Sequence, residues 1–150
     1  MAMTIEIQSV SEYDCAEILP LIQTHFPYVE MDFERLKKRI HHPKFFYQKS
    51  TEKEIITGYA EWEKLENNTI RLNGIAVKPN YRKKGHAQKL LEKGEKHFKQ
   101  KNGIKKIILL VEKENAPAKK LYEKNDYHFS RMHLKKVDGK ETEVWEKKLD

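Results

Sequence analysis

The sequence predicts a single α/β domain over residues 1–150, with a mixed central sheet of about seven strands and about four helices. Two observations support this fold class. Apolar residues recur at two periods, one typical of strands and the other of amphipathic helices, and segments of the two kinds are interspersed. The length of 150 residues and the mass of 17.9 kDa suit one domain of ordinary size.

The first part of the chain is predicted to form a strand, two helices and two further strands, in that order. Thr4–Val10 alternates apolar and polar residues as a half-buried strand does, and Ser11–Asp14 supplies residues that favour the start of a helix. Pro27 ends that helix. A second helix and two strands follow, with a charged turn at Thr51–Glu54 between the strands. Their expected bounds are Phe33–Ile40 for the helix and Phe45–Lys49 and Ile55–Lys64 for the strands.

The strand at Ile55–Lys64 has two faces that the sequence distinguishes. Residues at every second position of a strand point to the same side. One face is therefore expected to carry Ile56, Gly58, Ala60 and Trp62. The opposite face is expected to carry Tyr59, Glu61 and Glu63.

The second half of the chain places each of its two helices between strands. A strand ending at Val77 is followed by a long amphipathic helix, which Gly85 opens and Asn102–Gly103 closes. Ile107–Val111 is a continuous apolar run, as expected of a strand buried on both faces. A helix capped by Asn115 comes next. A closing hairpin turns at Asp138–Gly139, with strands expected at Phe129–Val137 and Glu143–Leu149.

The composition limits the classes of function. The formal net charge of +7 suits binding to a nucleic acid, an acidic membrane surface or a phosphorylated ligand. Most lysines, however, are mixed with glutamates, as on a solvated surface. No apolar run approaches the roughly 18 residues of a membrane span, and residues 1–4 lack the apolar region of a secretory signal. We expect a cytoplasmic protein without a membrane segment, for which nucleic acid is an unlikely partner.

Cysteine and histidine give little sign of a metal or redox site. The single cysteine, Cys15, excludes an intramolecular disulfide, fits a reducing cytoplasm and is expected to be a small buried apolar residue. Adjacent His41 and His42 point apart, and no further ligand pattern joins them. We therefore expect no metal site.

The segment from Val77 to Leu91 carries the first candidate site. A basic turn with Arg82, Lys83 and Lys84 follows the strand, and Gly85 stands at the start of the next helix. A helix start presents unpaired N–H groups and the positive end of the helix dipole, and glycine lets a ligand approach the backbone closely. These features favour a pyrophosphate site. The spacings of a P-loop and of a dinucleotide-binding fingerprint are both absent.

Two motifs together resemble those of the GNAT acetyltransferases. Arg82-x-x-Gly85-x-Ala87 matches the Q/R-x-x-G-x-G/A signature with which this family holds the pyrophosphate of coenzyme A (CoA). Further along, Asn115–Lys124 resembles the family's second motif, N-x-x-A-x-x-L-Y-E-K. The order of predicted elements also fits the family, so the resemblance covers essentially the whole chain.

The resemblance implies an acetyl-CoA site between two parallel strands that splay apart, here Leu72–Val77 and Ile107–Val111. Backbone groups of the first strand would bond the pantetheine arm, and the N–H of Val77 would stabilise the oxyanion of the thioester carbonyl. Tyr122 would protonate the departing thiolate. The residues expected to bind acetyl-CoA are Ile75, Ala76, Val77, Arg82, Lys83, Lys84, Gly85, His86, Ala87, Gln88, Asn115, Lys119 and Tyr122.

Several of these residues also have a simpler structural explanation. Asn115 caps a helix whether or not it bonds pantetheine. Tyr122 lies on the apolar side of its helix and could belong to the core. His86 is expected to occupy a spacer position and to contribute its backbone N–H.

The base that takes the proton of the attacking amine is left open. The resemblance extends to the branch that acetylates protein N-termini, including the ribosomal-protein-alanine acetyltransferases, in which the strand before the second motif carries a His or Glu for this purpose. The matching position here is Leu110, which cannot accept a proton. Glu61 and Glu63 are the leading catalytic candidates, although a solvated strand face explains both equally well. Further candidates are Glu30, His25 and Tyr59.

The leading functional hypothesis is an N-acetyltransferase in which a primary amine attacks acetyl-CoA directly. The acceptor is a protein N-terminus or lysine, or a small amine such as a polyamine. One alternative is a CoA-binding regulatory module without catalysis, and a second is a nucleic-acid-binding protein. We expect a monomer or a homodimer.

Overall fold

A computed structural model describes residues 4–149. Residues 1–3, within the segment where we expect no secretory signal, and residue 150 lie outside the described part. Seven strands form one sheet in the order β1-β2-β3-β4-β5-β7-β6. They are β1 (Ile5–Ser9), β2 (Phe45–Glu52), β3 (Ile55–Lys64), β4 (Thr69–Val77), β5 (Lys106–Glu112), β6 (His128–Met132) and β7 (Thr142–Lys148). Since β4 and β5 are parallel and the other pairs are antiparallel, the predicted mixed sheet is confirmed.

Four helices connect the strands in the predicted order. They are α1 (Cys15–His25), α2 (Phe33–His41), α3 (His86–Lys99) and α4 (Ala116–Lys124). Side chains cap α2 and α4, and the cap of α4 by Asn115 is the one that the sequence predicts. The carboxylate of Asp32 accepts from the backbone N–H of Arg35 at 2.8 Å, and the Asn115 carbonyl accepts from that of Ala118 at 3.2 Å. Both bonds satisfy donors that the first turn of a helix cannot pair.

The helices cover the two faces of the sheet in pairs. Leu90 and Leu91 of α3 pack with Trp62 in one core, which α4 also joins. The other core holds α1 and α2 against Tyr59 of β3. Because neighbouring residues of a strand face opposite ways, β3 separates the two cores and is buried on both sides.

Two expectations for β2 and β3 are wrong. The turn expected at Thr51–Glu54 is shorter, because β2 continues through Glu52 and pairs with β1. The shared face expected for Ile56 and Trp62 is also interrupted. Ser50 pairs with Gly58 and Thr51 with Ile56, so Thr57 is an extra residue in β3. This bulge turns Ile56 into the core that contains Tyr59.

The last strands also differ from expectation. Burial alternates along β5, with Ile107 and Leu109 buried and Ile108 and Leu110 half-buried, so the expected burial on both faces is wrong. One face of β5 packs in the core with α3, whereas Leu110 on the other face lines a cavity. The first hairpin strand ends at Met132, before the turn at Asp138–Gly139, where both residues have positive φ.

No helix within residues 4–149 is long and apolar enough to cross a membrane.

Candidate active site

The two parallel strands separate halfway along their length. Pairing between β4 and β5 runs from Thr69 opposite Lys106 to Leu72 opposite Leu109 and goes no further. At that point Asn73 is an extra residue in β4, because Glu61 pairs with Gly74 and the next residue of β3 pairs with Leu72. The bulge and the loss of pairing leave a gap between the carboxyl-terminal halves of the two strands.

Backbone polar groups of β4 face this gap. The N–H of Lys78 donates to the carbonyl of Thr57 at 2.7 Å, so it points at β3. Since backbone groups alternate in direction along a strand, those of Val77 and Ile75 point to the opposite side, into the gap. Ala76, which lies between them, turns its backbone to β3 and is buried. Ile75 and the N–H of Val77 thus offer a strand edge that a ligand backbone can complete, whereas the carbonyl of Val77 accepts from Arg82.

The start of α3 is open to an anionic ligand. Gly85 has a φ of 93°, and a Cβ at this position would meet no atom within 4 Å. The first-turn N–H groups of His86, Ala87 and Gln88 have no partner within the helix. The first turn contains no acidic residue, and the neighbouring Lys83 is exposed. The predicted residues therefore lie together and are chemically suited to a pyrophosphate.

Arg82 is anchored beside this helix start. Its Nε donates to the carbonyl of Val77 at 3.0 Å, and one terminal nitrogen lies 2.8 Å from Nε2 of His25. Nδ1 of His25 lies 2.9 Å from the carbonyl of Leu21, which can only accept. The imidazole is therefore the Nδ1–H tautomer, and its Nε2 lone pair accepts from Arg82. While that bond is in place, His25 has no lone pair for the proton of an amine.

The side chain of His86 has partners that the sequence does not reveal. It is 1% exposed, and its Nε2 lies 2.8 Å from Oε1 of Glu52. Nδ1 lies 2.8 Å from the hydroxyl of Thr57, which in turn lies 2.8 Å from that of Ser50. The expectation of a simple spacer position is therefore incomplete. The missing signal is the register of β2, which places Glu52 beneath α3.

Two other predicted cofactor residues use their side chains within the protein. The amides of Gln88 and Asn125 exchange two hydrogen bonds, of 2.7 and 2.8 Å, and thereby join α3 to α4. The ammonium of Lys119 donates to Glu143 at 3.0 Å and to the carbonyl of Lys113. Gln88 consequently offers a ligand its backbone N–H rather than its amide.

A cavity of about 500 Å³ extends from the gap. Its walls come from the loop between α1 and α2 and from α2, β3, β4, β5 and α4. Leu110, Asn115 and Tyr122 all line it, as do Glu61 and Glu63. The cavity therefore brings together residues that the sequence places in three separate segments. Glu30, in contrast, is exposed and does not line it.

Tyr122 combines a core contact with access to the cavity. Its ring packs at 5.9 Å against that of Tyr127, so part of its surface belongs to the core. Within residues 4–149 its hydroxyl makes no hydrogen bond. Burial raises the pKa of Tyr122 to about 12, so the phenol is protonated at neutral pH. A phenol in this state can donate a proton to an anion in the cavity.

Glu61 and Glu63 are buried, at 8% and 7% exposure, so the alternative of a solvated strand face is wrong. The amide of Asn73, the bulged residue of β4, donates to both carboxylates. Glu61 also accepts from the hydroxyl of Tyr47 and from Arg39, the latter at 3.2 Å. The bulge thus places an amide donor between two buried acids.

Glu63 has more cationic partners than Glu61. It lies 3.1 Å from the ammonium of Lys44 and 3.2 Å from the guanidinium of Arg71. Burial alone would raise its pKa, but the hydrogen bonds from Asn73 and Lys44 and the charge of Arg71 lower it below the usual value. Tyr59 is also buried, and desolvation with the nearby charge of Glu61 raises its pKa well above the usual value. Neither group is suited to accept a proton near neutral pH.

The histidine pair has ordinary partners. Nε2 of His41 lies 3.1 Å from a carboxylate oxygen of Glu12, and Nδ1 of His42 accepts from the backbone N–H of Lys44 at 3.0 Å. Within residues 4–149, no group of three or more His, Cys, Asp or Glu side chains could hold a metal ion.

A comparison with protein-family models matches residues 11–127 to the acetyltransferase (GNAT) family. The match includes the predicted pyrophosphate site from Arg82 to Gln88, which we call the cradle. It also includes the gap between β4 and β5, and Tyr122. The chain belongs to the GNAT family. Enzymes of this family use acetyl-CoA as the acyl donor, and the protein is accordingly an acyltransferase.

Solved GNAT structures share the whole fold. The ribosomal-protein-S18-alanine N-acetyltransferase from Escherichia coli is 20% identical, with a TM-score of 0.81 over 98% of this chain and 95% of that chain. The PaiA N-acetyltransferase from Thermoplasma acidophilum, in complex with coenzyme A, is 21% identical, with a TM-score of 0.82 over 97% and 99%. The spermidine/spermine N-acetyltransferase SpeG from Vibrio cholerae is 18% identical, with a TM-score of 0.79 over 97% and 92%. No curated protein matches the chain.

Proposed function

We propose that this GNAT protein transfers the acetyl group of acetyl-CoA to a primary amine by direct attack within a ternary complex. The observation that carries the proposal is the gap between β4 and β5, which leads from the cradle at Gly85 to the cavity lined by Tyr122. A donor bound along this gap would present its thioester to the cavity. The proposal places the reaction in the cytoplasm, in a monomer or a homodimer.

The donor side of the proposed site uses mainly backbone groups. The backbone of Ile75 would complete hydrogen bonds with the pantetheine amides, as an added strand would, and the N–H of Val77 would be left for the thioester carbonyl. The N–H groups that follow Gly85 would hold the pyrophosphate, with charge from Arg82 and Lys83. Asn115 lines the cavity and keeps its Nδ2 donor for the pantetheine, because its cap bond uses Oδ1.

In the proposed chemical step, the amine nitrogen attacks the thioester carbonyl carbon. The N–H of Val77 would stabilise the oxyanion that forms. When the tetrahedral intermediate collapses, the carbon–sulfur bond breaks and the thiolate takes a proton from Tyr122. The nitrogen loses its proton to a base, which completes the amide. The base then releases its proton to solvent and the phenolate takes one up from solvent, so the enzyme returns to its starting state.

Of the two buried acids, we assign the base to Glu61. The lowered pKa of Glu63 weakens its basicity. Glu61 contacts a single cationic side chain, Arg39, whereas two cations contact Glu63. An amine must be neutral to attack, and a lysine side chain, with its ordinary pKa near 10.4, needs this help more than an α-amino group does. In this assignment a water carries the proton to Oε1 of Glu61, which has Tyr47 as its single donor and so keeps a lone pair. Glu63 orients Asn73 and Arg71.

Release of the free CoA thiol from acetyl-CoA tests the proposal. The acceptor panel should contain peptides with free N-termini, lysine-containing peptides and small amines, because the structural neighbours include enzymes named for a ribosomal-protein alanine and for spermidine. We expect turnover with at least one class. Tight CoA binding without any turnover would instead support a regulatory module. Salt-dependent affinity for DNA or RNA that CoA does not displace would support a nucleic-acid-binding protein.

A further inference from the structure

The charged residues of the cavity are unevenly satisfied. Three glutamates and three arginines line it: Glu61, Glu63, Glu112, Arg35, Arg39 and Arg71. Every one of these glutamates has a cationic partner. Glu112 lies 3.6 Å from Lys140, and the other two contact Arg39, Arg71 and Lys44. Because Lys44 and Lys140 come from outside the lining, the cavity and its direct partners carry an excess of positive charge.

Each oxygen of the two buried carboxylates already accepts from at least one protein donor. In Glu61, Oε1 accepts from Tyr47, while Oε2 accepts from both Arg39 and Asn73. In Glu63, Oε1 accepts from Asn73 and Arg71, while Oε2 lies 3.1 Å from Lys44. A polyamine would need several free carboxylates to replace the water around its ammonium groups. This cavity has already paired its buried carboxylates with protein donors.

The free capacity lies instead with the arginines of α2. Arg35 makes one side-chain hydrogen bond, from a terminal nitrogen to the carbonyl of Val29 at 2.8 Å. Within residues 4–149, no carboxylate lies in salt-bridge range of it. Arg39 has a buried Nε without an acceptor. A buried donor without a partner is costly, and a guanidinium is shaped to take the two oxygens of a carboxylate.

We propose that the acceptor of this acetyltransferase is an amine that also bears a carboxylate, which Arg35 receives at the mouth of the cavity with help from Arg39. The inference rests on the proposed function and narrows its substrate class. The shared chemistry is an amine and a carboxylate on one molecule, as in a free amino acid or an acidic peptide N-terminus. It disfavours polyamines, which carry only positive charge.

Matched acceptor pairs test the inference. The first pair is a C-terminally amidated tripeptide with either glutamate or glutamine at its second position. The second pair is free glutamate and the α-amide of glutamine, in which amides replace both carboxylates. We expect kcat/KM to favour the carboxylate member of at least one pair by about tenfold or more, the usual effect of a charge-assisted hydrogen bond. The responding pair identifies the source. Equal rates within both pairs, or spermidine as the best acceptor, would overturn the inference.

An α2 variant isolates the arginine. Arg35→Gln removes the charge but keeps an amide that can donate to the carbonyl of Val29. We expect it to abolish the preference within the responding pair while the KM for acetyl-CoA stays unchanged. Lys38→Gln, at an exposed position of the same helix outside the cavity, is the matched control and should retain the preference. If the preference survives in Arg35→Gln, the assignment of the acceptor's carboxylate to Arg35 is wrong. Absence of turnover with every acceptor contradicts the proposed function itself.

Discussion

The imidazole of His86 and the carboxylate of Glu52 meet at 2.8 Å in the interior, with side-chain exposures of 0% and 6%. The pair joins the first residue of α3, which supports the cradle, to the end of β2. The centroid of the His86 ring also lies 5.8 Å from that of the Tyr81 ring, in the turn that precedes the cradle. The position of the cradle therefore depends on a polar contact that no pyrophosphate-binding motif specifies.

Breaking this pair on one side should be costly. His86→Leu leaves the carboxylate of Glu52 buried without its donor, so we expect it to lower the free energy of unfolding by about 3 kcal/mol. The double variant His86→Leu with Glu52→Leu removes both polar groups and should recover most of that loss. Urea unfolding of both variants measures the difference. A single variant that loses under about 1 kcal/mol would show that Glu52 finds other partners or water.

Tyr122→Phe tests the proposed acid. We expect kcat to fall by about 100-fold, the scale of general acid catalysis, with little change in the affinity for acetyl-CoA. The phenol must be protonated to act, and its pKa is raised to about 12. Activity due to Tyr122 is therefore retained below that value and lost only as the pH rises through it. Steady-state rates from pH 7 to 10 check both points.

The matched control for this experiment is Tyr127→Phe. It removes a hydroxyl from the adjacent ring, which does not line the cavity. We expect wild-type kcat from this variant. Unaltered turnover in Tyr122→Phe would return Tyr122 to a packing role.

Gly85→Glu tests the cradle. The space above Gly85 is open, so the side chain fits in the free protein but would stand where the pyrophosphate binds and would repel it. We expect CoA binding to be abolished in calorimetric titration. The φ of 93° also strains any side chain there by roughly 1–2 kcal/mol. Gly103→Glu, at a φ of 92° beyond the other end of α3, carries the same strain and should bind CoA normally. Normal binding by folded Gly85→Glu would place the cradle elsewhere.

The order of elements could be predicted from the sequence because each carries a local signal. Asn115 has a capping side chain, Gly85 a helix-start glycine, and Ile5 and Ile7 an alternating pattern. The errors at Ile56 and at Leu110 arise from non-local geometry. A bulge shifts the parity of a strand without any change in composition, and the burial of a strand face depends on which helix covers it.

The candidate site divides along the same line. The donor side could be predicted from the sequence, since backbone N–H groups behind a glycine need only a local motif. On the acceptor side the sequence names Glu61 and Glu63 as candidates but not their partners Arg39 and Asn73, because these residues come from three elements that meet only in the folded domain. Their individual sequence contexts resemble charged surface positions. Only the pairing of β3 with β4 and the packing of α2 bury them together.

Gly94→Ala tests how closely α3 approaches the sheet. A Cβ at Gly94 would lie 2.1 Å from Cζ2 of Trp62, whose side chain is fully buried. Helix propensity alone favours alanine over glycine by about 1 kcal/mol, so it predicts a more stable protein. The clash predicts the opposite, because neither the helix nor the buried indole can move without disturbing the core. We expect the effect of the clash to exceed that of helix propensity, so that the free energy of unfolding measured in urea falls by about 2–3 kcal/mol. Lys93→Ala, at the adjacent exposed position, should stay within about 0.5 kcal/mol of wild type. A stabilised Gly94→Ala protein would mean that α3 can lift from Trp62, and the cradle at its start would then be less rigidly held than the His86–Glu52 contact implies.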